Sequence, residues 1–210
     1  MRRTIIIPIF LISMGVATAQ QIKHKEINLP KNNTLKISLL SAFAATLNMS
    51  YEYKLTQAWS VQHGLSFTKF NPQVSALKST SIEGFRYTLD LRKYRKIDPE
   101  WNGWYNQYFV RYGQFVNQNY KQDSSTQNQV IQLKESLRGF NFGYAFGYQK
   151  CFDKNFVLDT YLGIYFSAPT YYKSSLSQAT IDKYEIFSLK ESPLTSTMGL
   201  RFGIKAGYLF

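Results

Sequence analysis

Cysteine, histidine and phosphate-binding glycine motifs are scarce or missing in this sequence. Cys151 is the only cysteine, so no internal disulfide can form, and its predicted position in a turn between two strands favours a structural role. The two histidines are distant from each other and from the cysteine, which excludes the usual ligand sets of a metal site. No glycine motif that would cradle a phosphate is present. We therefore expect no metal, no cofactor and no catalytic residue.

Long apolar runs are also missing, and the longest lies at the N-terminus. Arg2 and Arg3 precede an apolar segment at residues 4–14, and small residues follow at 17 and 19. This order is typical of a secretory signal peptide. The segment is shorter than the roughly 20 residues of a spanning helix, which favours a signal peptide over an anchor. We expect residues 1–19 to be cleaved.

The rest of the sequence offers no further membrane-spanning helix. Its longest uncharged stretch, residues 37–51, is too short to cross a bilayer and is interrupted by polar side chains. Residues 20–33 mix charges and a proline without periodicity, and we expect a periplasmic lead-in segment there. Since only helices and closed barrels satisfy all their backbone groups in lipid, a membrane-embedded form of this chain has to be a barrel.

Acidic residues are few, with 13 Asp and Glu against 25 Lys and Arg, for a formal charge of +12. The cations are dispersed and no nucleic-acid-binding motif accompanies them, so no nucleic-acid partner is predicted. The densest basic group comprises Arg92, Lys93, Arg95 and Lys96. Two interpretations of it stay open: attraction to outer-membrane lipid headgroups and lipopolysaccharide phosphates, or a solvated basic turn.

What the sequence does have is alternation with a period of two, most clearly at residues 197–210. One set of alternate residues is apolar and ends in aromatics, while the other contains glycines with Arg201 and Lys205. Successive side chains of a β-strand point to opposite faces. The pattern therefore favours a strand with hydrocarbon on one side and a narrow polar interior on the other.

Eight segments alternate in this way. They are residues 35–41, 47–54, 58–68, 83–92, 104–116, 137–148, 156–166 and 197–210. We predict an all-β fold at residues 34–210, an eight-stranded antiparallel transmembrane β-barrel in the bacterial outer membrane, with short periplasmic turns and longer external loops. The predicted external loops are residues 69–82, 117–136 and 167–195. A periplasmic turn at residues 93–103 is unusually long for this arrangement.

A soluble lipocalin-like lipid-binding barrel is the main alternative fold, with the apolar face inward and the polar face in water. A water-facing surface should carry mixed charge. The polar face of residues 137–148 instead reads Gly, Asn, Gly, Ala, Gly. The membrane barrel is therefore favoured.

Charged residues on the predicted inner face are expected to pair, because an isolated charge in a low-dielectric interior is costly. The predicted interior ion network comprises Lys36, Glu52, Arg86, Asp90, Arg111, Asp159, Arg201 and Lys205. Lys36, Glu52, Asp159 and Lys205 should form one group near the periplasmic side, with the three arginines nearer mid-height. An eight-stranded barrel is filled by side chains, so the network is interpreted as a structural plug, with a proton or ion path as the alternative.

An enzyme that modifies lipid A or phospholipids is the alternative function, since some barrels of this size carry a His-Ser pair. His63 lies on the predicted outer face, where lipid could reach it, but Ser60 and Ser66 lie on the inner face. The odd spacing does not suit a dyad. His63 is therefore interpreted as an interfacial histidine within an aromatic belt.

The polar segments 117–136 and 167–195 supply the other functional hypothesis. Tyr171 and Tyr172 stand among polar residues in the second segment. Polar loops with exposed aromatics are typical of recognition surfaces, so adhesion or binding of an extracellular ligand is one interpretation. The other is that the loops only cap the barrel.

Residues 34–55 (TLKISLLSAFAATLNMSYEYKL) and the terminal RFGIKAGYLF resemble a family of small outer-membrane barrels of unknown function, DUF3575. More broadly, the pattern resembles barrels of the OmpX and OmpA type. The resemblance implies a location and a fold, not an activity. It also implies that the barrel-assembly machinery recognises the terminal aromatics, Tyr208 and Phe210. Together these observations predict a non-enzymatic outer-membrane barrel with a structural or surface-interaction role.

Overall fold

A computed structural model of the chain describes residues 32–41, 45–71, 73–75, 78–95, 101–123, 129–152, 155–183, 188–189 and 198–210. The predicted signal peptide at residues 1–19 and nearly all of the predicted lead-in at 20–33 lie outside the described residues.

The described residues form nine strands and one short helix. They are β1 (Asn33–Ser38), β2 (Thr46–Lys54), β3 (Trp59–Phe70), β4 (Gln73–Ser75), β5 (Lys78–Tyr94), β6 (Gly103–Asp123), β7 (Gln129–Phe152), β8 (Phe156–Ser174), α1 (Gln178–Lys183) and β9 (Met198–Leu209). Within this part of the chain, no helix is long and apolar enough to cross a membrane.

Eight of these strands close into a ring. Strands β1, β2, β3, β5, β6, β7, β8 and β9 each pair antiparallel with the next. The last strand returns to the first, with Leu35 opposite Tyr208 and Ile37 opposite Ala206. The short strand β4 only extends β5. The prediction of an eight-stranded antiparallel barrel is therefore confirmed.

The two ends of the barrel differ in their connections. The chain enters at Asn33 and leaves at Leu209 on the same end, which also carries the turns at residues 55–58, 95–102 and 153–155. This is the periplasmic end, as the asymmetry of such barrels dictates. The connections at the external end include the longest one, from β8 through α1 to β9.

The outer surface is apolar over the middle part of the strands. Side chains with large exposed fractions include Leu200 at 69%, Phe202 at 65% and Leu162 at 61%. We call this surface the apolar belt, and it also contains Leu47, Met49, Phe67, Leu89, Val110, Phe140, Phe142, Ile164 and Phe166. The soluble lipocalin-like alternative is wrong, because its apolar face would point inward. The chain is an outer-membrane barrel.

Four strands extend much farther than the sequence alternation predicts. Residues 117–136, predicted as a loop, instead continue β6 to Asp123 and β7 from Gln129. Strand β8 likewise runs to Ser174, inside the predicted loop at 167–195, and β5 starts at Lys78. Above the membrane a strand keeps its ladder of backbone hydrogen bonds but no longer needs an apolar outer face. The polar composition of these segments therefore concealed the strands.

Close backbone approach at Gly163 suggests a test of the barrel packing. A Cβ atom there would clash with the Tyr144 carbonyl oxygen and with the backbone of Ala145, whereas one at Gly64 would have its nearest neighbour at 3.6 Å. We expect Gly163→Ala to lower the free energy of unfolding by about 1–3 kcal/mol, as overpacking does. Gly64→Ala is the control. Urea unfolding in detergent micelles, followed by gel mobility, measures both, and equal midpoints would contradict the described packing.

Candidate functional site

Four charged side chains meet inside the barrel near its periplasmic end. Lys36, Glu52, Arg92 and Asp159 come from four different strands and are fully buried. Lys36 Nζ lies 2.5 Å from Glu52 Oε2 and 2.9 Å from Asp159 Oδ2. Arg92 Nη1 lies 3.1 Å and 2.8 Å from the same two oxygens. We call these four residues the periplasmic cluster; its two cations and two carboxylates balance in formal charge.

Neutral donors and acceptors surround the two carboxylates and the lysine of the periplasmic cluster. Ser60 and Tyr94 both donate to Glu52 Oε1, the second bond with a length of 3.0 Å. Tyr105 donates to Oδ1 of the other carboxylate, and Gln149 Oε1 accepts from the lysine ammonium at 2.5 Å. Every carboxylate oxygen of the cluster therefore has a donor. Burial of charge is tolerated only when the groups are paired and hydrogen-bonded in this way.

An aromatic layer lies at the barrel mouth beside the periplasmic cluster. Its buried members are Tyr94, Trp101, Tyr105, Cys151, Val157 and Leu209. Trp101 is 1% exposed and has a φ of 62°, a left-handed conformation that is rare for a bulky residue. Its carbonyl accepts from Gln149 Nε2 at 3.2 Å, and Lys54 Nζ lies 4.7 Å from its ring centroid. The long periplasmic turn thus returns a tryptophan into the mouth of the barrel.

Cys151 belongs to this aromatic layer and not to a turn. Strand β7 continues to Phe152, and the side chain of Cys151 is buried. Its backbone N–H donates to Asn102 Oδ1 at 2.7 Å, which ties β7 to the turn that carries Trp101. The predicted turn position is therefore wrong, because pairing with β8 extends through Cys151 opposite Val157.

A second group of charges lines a small cavity nearer mid-height. We call this cavity the central chamber; its volume is about 30 Å³. Its lining comprises Asn48, Gly64, Ser66, Arg86, Thr88, Asp90, Arg111, Tyr161, Arg201 and Lys205. Asp90 is held by Arg201, with Nη1 to Oδ1 at 2.9 Å, and by Gln62 Nε2 at 2.5 Å. Lys205 Nζ donates to Ser50 Oγ at 3.3 Å.

The guanidinium groups of two arginines in the central chamber lie against aromatic rings. The guanidinium of Arg86 lies 5.2 Å from the Phe115 ring centroid. That of Arg111 lies 5.4 Å from Phe109 and 5.9 Å from Tyr165. Within the described part of the chain, neither arginine forms an ion pair or a hydrogen bond. Four cations therefore surround one carboxylate, an excess of three positive charges.

The structure brings together some of the residues that the sequence predicts as one network and separates others. Lys36, Glu52 and Asp159 meet in the periplasmic cluster. Lys205 lies in the central chamber instead, and among the described residues no carboxylate is within ion-pair distance of its ammonium. Its backbone is nevertheless paired opposite Asp159, so Lys205 stands at the level of the periplasmic cluster while its ammonium contacts Ser50. Alternation fixes which face a residue occupies, but not the direction in which a long side chain extends along the lumen.

Arg92 is the member that the predicted network omits. Its place in the basic run at residues 92–96 suggested a turn or a lipid contact, but it is fully buried and its guanidinium lies 4.4 Å from the Tyr105 ring centroid. The alternation of residues 83–92 places Arg92 on the inner face, although the predicted network leaves it out. Lys93 and Arg95 do face outward, on the rings of outer-face aromatics, and Lys96 lies outside the described residues.

Polar groups on the outer face are satisfied by tyrosine hydroxyls. His63 Nδ1 lies 2.7 Å from the Tyr87 hydroxyl. Tyr144 donates to Asn106 Oδ1 at 2.5 Å, which explains an amide on a lipid-facing strand. Ser60 and Ser66, the nearest serines to His63 in sequence, are buried on the opposite face of β3. The described geometry therefore forms no dyad between His63 and either serine.

The two terminal aromatics lie at the periplasmic end of the outer surface. Tyr208 and Phe210 are 55% and 51% exposed. The Tyr208 hydroxyl accepts from Asn155 Nδ2 at 3.0 Å, and the backbone of Phe210 bonds to that of Asn33. Their role as an assembly signal stays a prediction.

At the external end, Glu135 joins several segments into an ordered unit. Its carboxylate accepts from Asn117, Tyr172 and Ser188 at 2.6–2.8 Å, and from the backbone N–H of Leu189 at 2.8 Å. Two apolar clusters flank it, formed by Phe115, Leu137 and Leu189 and by Leu133 and Ile181. We call residues 115–123, 129–138, 170–183 and 188–189 the external platform.

A β-bulge changes which residues of β8 face outward on the external platform. Arg138 pairs with Tyr171 while Gly139 pairs with Pro169, so Thr170 is an extra residue in β8. Below it the exposed side chains of β8 carry even numbers, as at Phe166; above it Tyr171 and Lys173 occupy the outer face. Bulges commonly re-aim side chains in this way.

The outward residues above the bulge form a positively charged group. We call it the basic rim; it comprises Lys134, Arg138, Tyr171 and Lys173, all exposed. The Arg138 guanidinium lies 5.5 Å from the Tyr171 ring centroid, and Lys173 is paired opposite Ser136 on β7. The basic rim borders the apolar belt, since Arg138 is only two residues from Phe140 on the same face of β7.

Removal of one carboxylate tests the periplasmic cluster. Glu52→Gln keeps the side-chain shape but leaves Lys36 and Arg92 with a single carboxylate. We expect the free energy of unfolding to fall by about 3–5 kcal/mol, as when one partner of a buried ion pair is lost. The control is Glu83→Gln, which removes an exposed carboxylate 3.5 Å from Lys69 Nζ, a contact worth about 1 kcal/mol or less. Equal urea midpoints for the two variants would refute a stabilising role for the cluster.

Three solved structures of bacterial proteins resemble this fold at low sequence identity. A major outer membrane protein from Thermus thermophilus is 11% identical, with a TM-score of 0.50 over 85% of this chain and 99% of that one. Acinetobacter baumannii CarO is 10% identical, with a TM-score of 0.49 over 89% and 100%. Ail, the attachment invasion locus protein of Yersinia pestis, is 14% identical, with a TM-score of 0.43 over 86% and 99%. At such identities only the fold is informative.

Comparison with curated proteins gave no match. The model of DUF3575, a protein family of unknown function, matches residues 6–208 and so spans nearly the whole chain. The predicted resemblance is confirmed, and the chain belongs to the DUF3575 family of proteins of unknown function.

Proposed function

We propose that this protein is a non-enzymatic surface-interaction barrel of the outer membrane, closed inside by its own side chains. Its basic rim binds the phosphates of lipopolysaccharide in the outer leaflet, and its external platform presents a fixed surface to extracellular ligands. The observation that carries the proposal is the bulge at Thr170, since without the extra residue Lys173 would point into the barrel and not toward lipid.

The position of the basic rim supports a phosphate-bearing lipid as the partner. Its cations lie directly above apolar side chains such as Phe140 and Phe142, at the level where acyl chains meet headgroups. Each cation near an anionic membrane surface contributes about 1 kcal/mol of attraction. A guanidinium such as that of Arg138 can also bind two phosphate oxygens through parallel hydrogen bonds. A lipid with several phosphates matches three cations on one face.

The external platform supports a role at the cell surface in another way. Glu135 ties the β6–β7 hairpin, Tyr172 and the segment at residues 188–189 together, so the surface is organised before any ligand arrives. A pre-organised surface loses less entropy when it binds a partner. Polar strands that project beyond the membrane therefore suit adhesion or ligand binding better than mere closure of the barrel.

The lipopolysaccharide partner is tested by removing the rim charges. We expect Arg138→Gln combined with Lys173→Gln to lower several-fold the lipopolysaccharide that co-purifies with barrels extracted from outer membranes. The matched control combines Lys93→Gln and Lys150→Gln, two outward cations at the periplasmic end, where the leaflet lacks this lipid. Quantitative gel staining and mass spectrometry supply the measurement. If both double variants retain as much lipopolysaccharide as wild type, the partner is wrong.

The closed interior is tested by ion conductance. We expect wild-type protein in planar lipid bilayers to give no steady ohmic steps, because the periplasmic cluster and the layer around Trp101 fill the lumen. Arg92→Ala combined with Tyr105→Ala removes two of the largest fully buried side chains and serves as the open control, with folding verified by heat-dependent gel mobility. Uniform conductance steps from the wild-type barrel would overturn the proposal of a closed interior.

A further inference from the structure

We propose that the central chamber is a binding site for one small inorganic anion of the size of chloride. The chamber is an interior cavity lined by Arg86, Arg111, Arg201 and Lys205, with Asp90 as the single carboxylate. This site is separate from the basic rim, and its ligand does not depend on what binds outside.

Charge balance is the first argument. Asp90 is already engaged by Arg201 through two contacts, at 2.9 Å and 3.4 Å, and by Gln62. It cannot neutralise the remaining cations as well. The periplasmic cluster, by contrast, balances its charges without help. An uncompensated excess of charge in a low-dielectric interior is unfavourable, so a counter-charge is expected where the excess lies.

Unfilled hydrogen-bond donors are the second argument. Nε of Arg201, a side chain that is 6% exposed, and Nε of Arg111 have no hydrogen-bond partner among the described residues. A guanidinium has five N–H donors and no acceptor, so it cannot satisfy another guanidinium. Arg86 and Arg111 lie on aromatic rings and donate to no described residue. An anion in the chamber would accept from the unpartnered Nε groups of Arg111 and Arg201, whereas an additional cation could not.

Size decides between classes of anion. A cavity needs a free volume of roughly 10–15 Å³ to hold one water molecule. The central chamber, at about 30 Å³, therefore accommodates a halide with at most one water, but not an organic carboxylate or a phosphate ester. Water alone would fill the donors but leave three positive charges without compensation. A halide accepts from the same donors and also compensates one of the three positive charges, and Ser66 and Thr88 can donate to it as well.

Anion exchange at constant ionic strength tests the site in the purified full barrel. Unfolding by urea in detergent micelles is compared in sodium chloride and in sodium gluconate, whose anion is too large for the chamber. We expect the midpoint to rise with chloride along a single-site saturation curve and to stay constant in gluconate. Identical midpoints in the two salts would overturn the proposal.

A variant and a diffraction measurement identify the location. Arg111→Met keeps the bulk of the side chain and removes its charge, so we expect the chloride-dependent rise to vanish, while Lys69→Gln, an exposed control, should retain it. Crystals grown in bromide should show an anomalous peak among Arg86, Arg111 and Arg201. A chloride effect that persists in Arg111→Met would refute the site. If that variant does not fold, a bromide-free chamber in wild-type crystals refutes it equally.

Discussion

Compensation of buried charge is the constraint on which the interior of this barrel depends. A ring of eight strands leaves room for side chains but not for bulk water, so every inward charge needs a partner from another strand. Glu52 and Asp159 each contact both Lys36 and Arg92, so four strands are held at one level by four groups. Ion pairs across the lumen therefore hold the strands together, as an apolar core does in a soluble domain.

The periplasmic cluster and the central chamber differ in how far their buried charges are compensated. At the periplasmic end, matched charges and the aromatic layer around Trp101 favour rigidity and exclude solvent. In the central chamber, Arg86 and Arg111 have no carboxylate partner among the described residues, so the protein by itself leaves that level incompletely compensated. A fold that tolerated the excess only as a defect would not be expected to surround it with hydroxyl groups such as those of Ser66 and Thr88. The charge-balanced periplasmic cluster and the proposed anion site thus lie at different heights of one lumen.

Period-two alternation was sufficient to predict the barrel, the number of ring strands and the face of almost every residue within the membrane. Predictions from alternation failed outside the membrane, because the lipid that requires one apolar face is absent there. Beyond the membrane, residues 117–136 need no apolar outer face and resemble a loop, although they pair as strands. Two other features depend on contacts with residues that are distant in sequence. The bulge at Thr170 follows from the register with β7. The inward position of Trp101 follows from packing in the barrel mouth. Alternation also assigned Arg92 to the inner face, but its ion pairs with Glu52 and Asp159 depend on strands that are distant in sequence.

The pairing of β1 with β9 has a consequence for how the chain reaches its folded state. Leu35 and Tyr208 are neighbours in space but stand at opposite ends of the folded sequence, so the ring cannot close until the last strand has been made and delivered. Until then, the growing sheet has two unpaired edges, which invite pairing with other chains. Contacts between such distant residues also form slowly. The interval between synthesis and closure is therefore the period in which this protein most needs a chaperone.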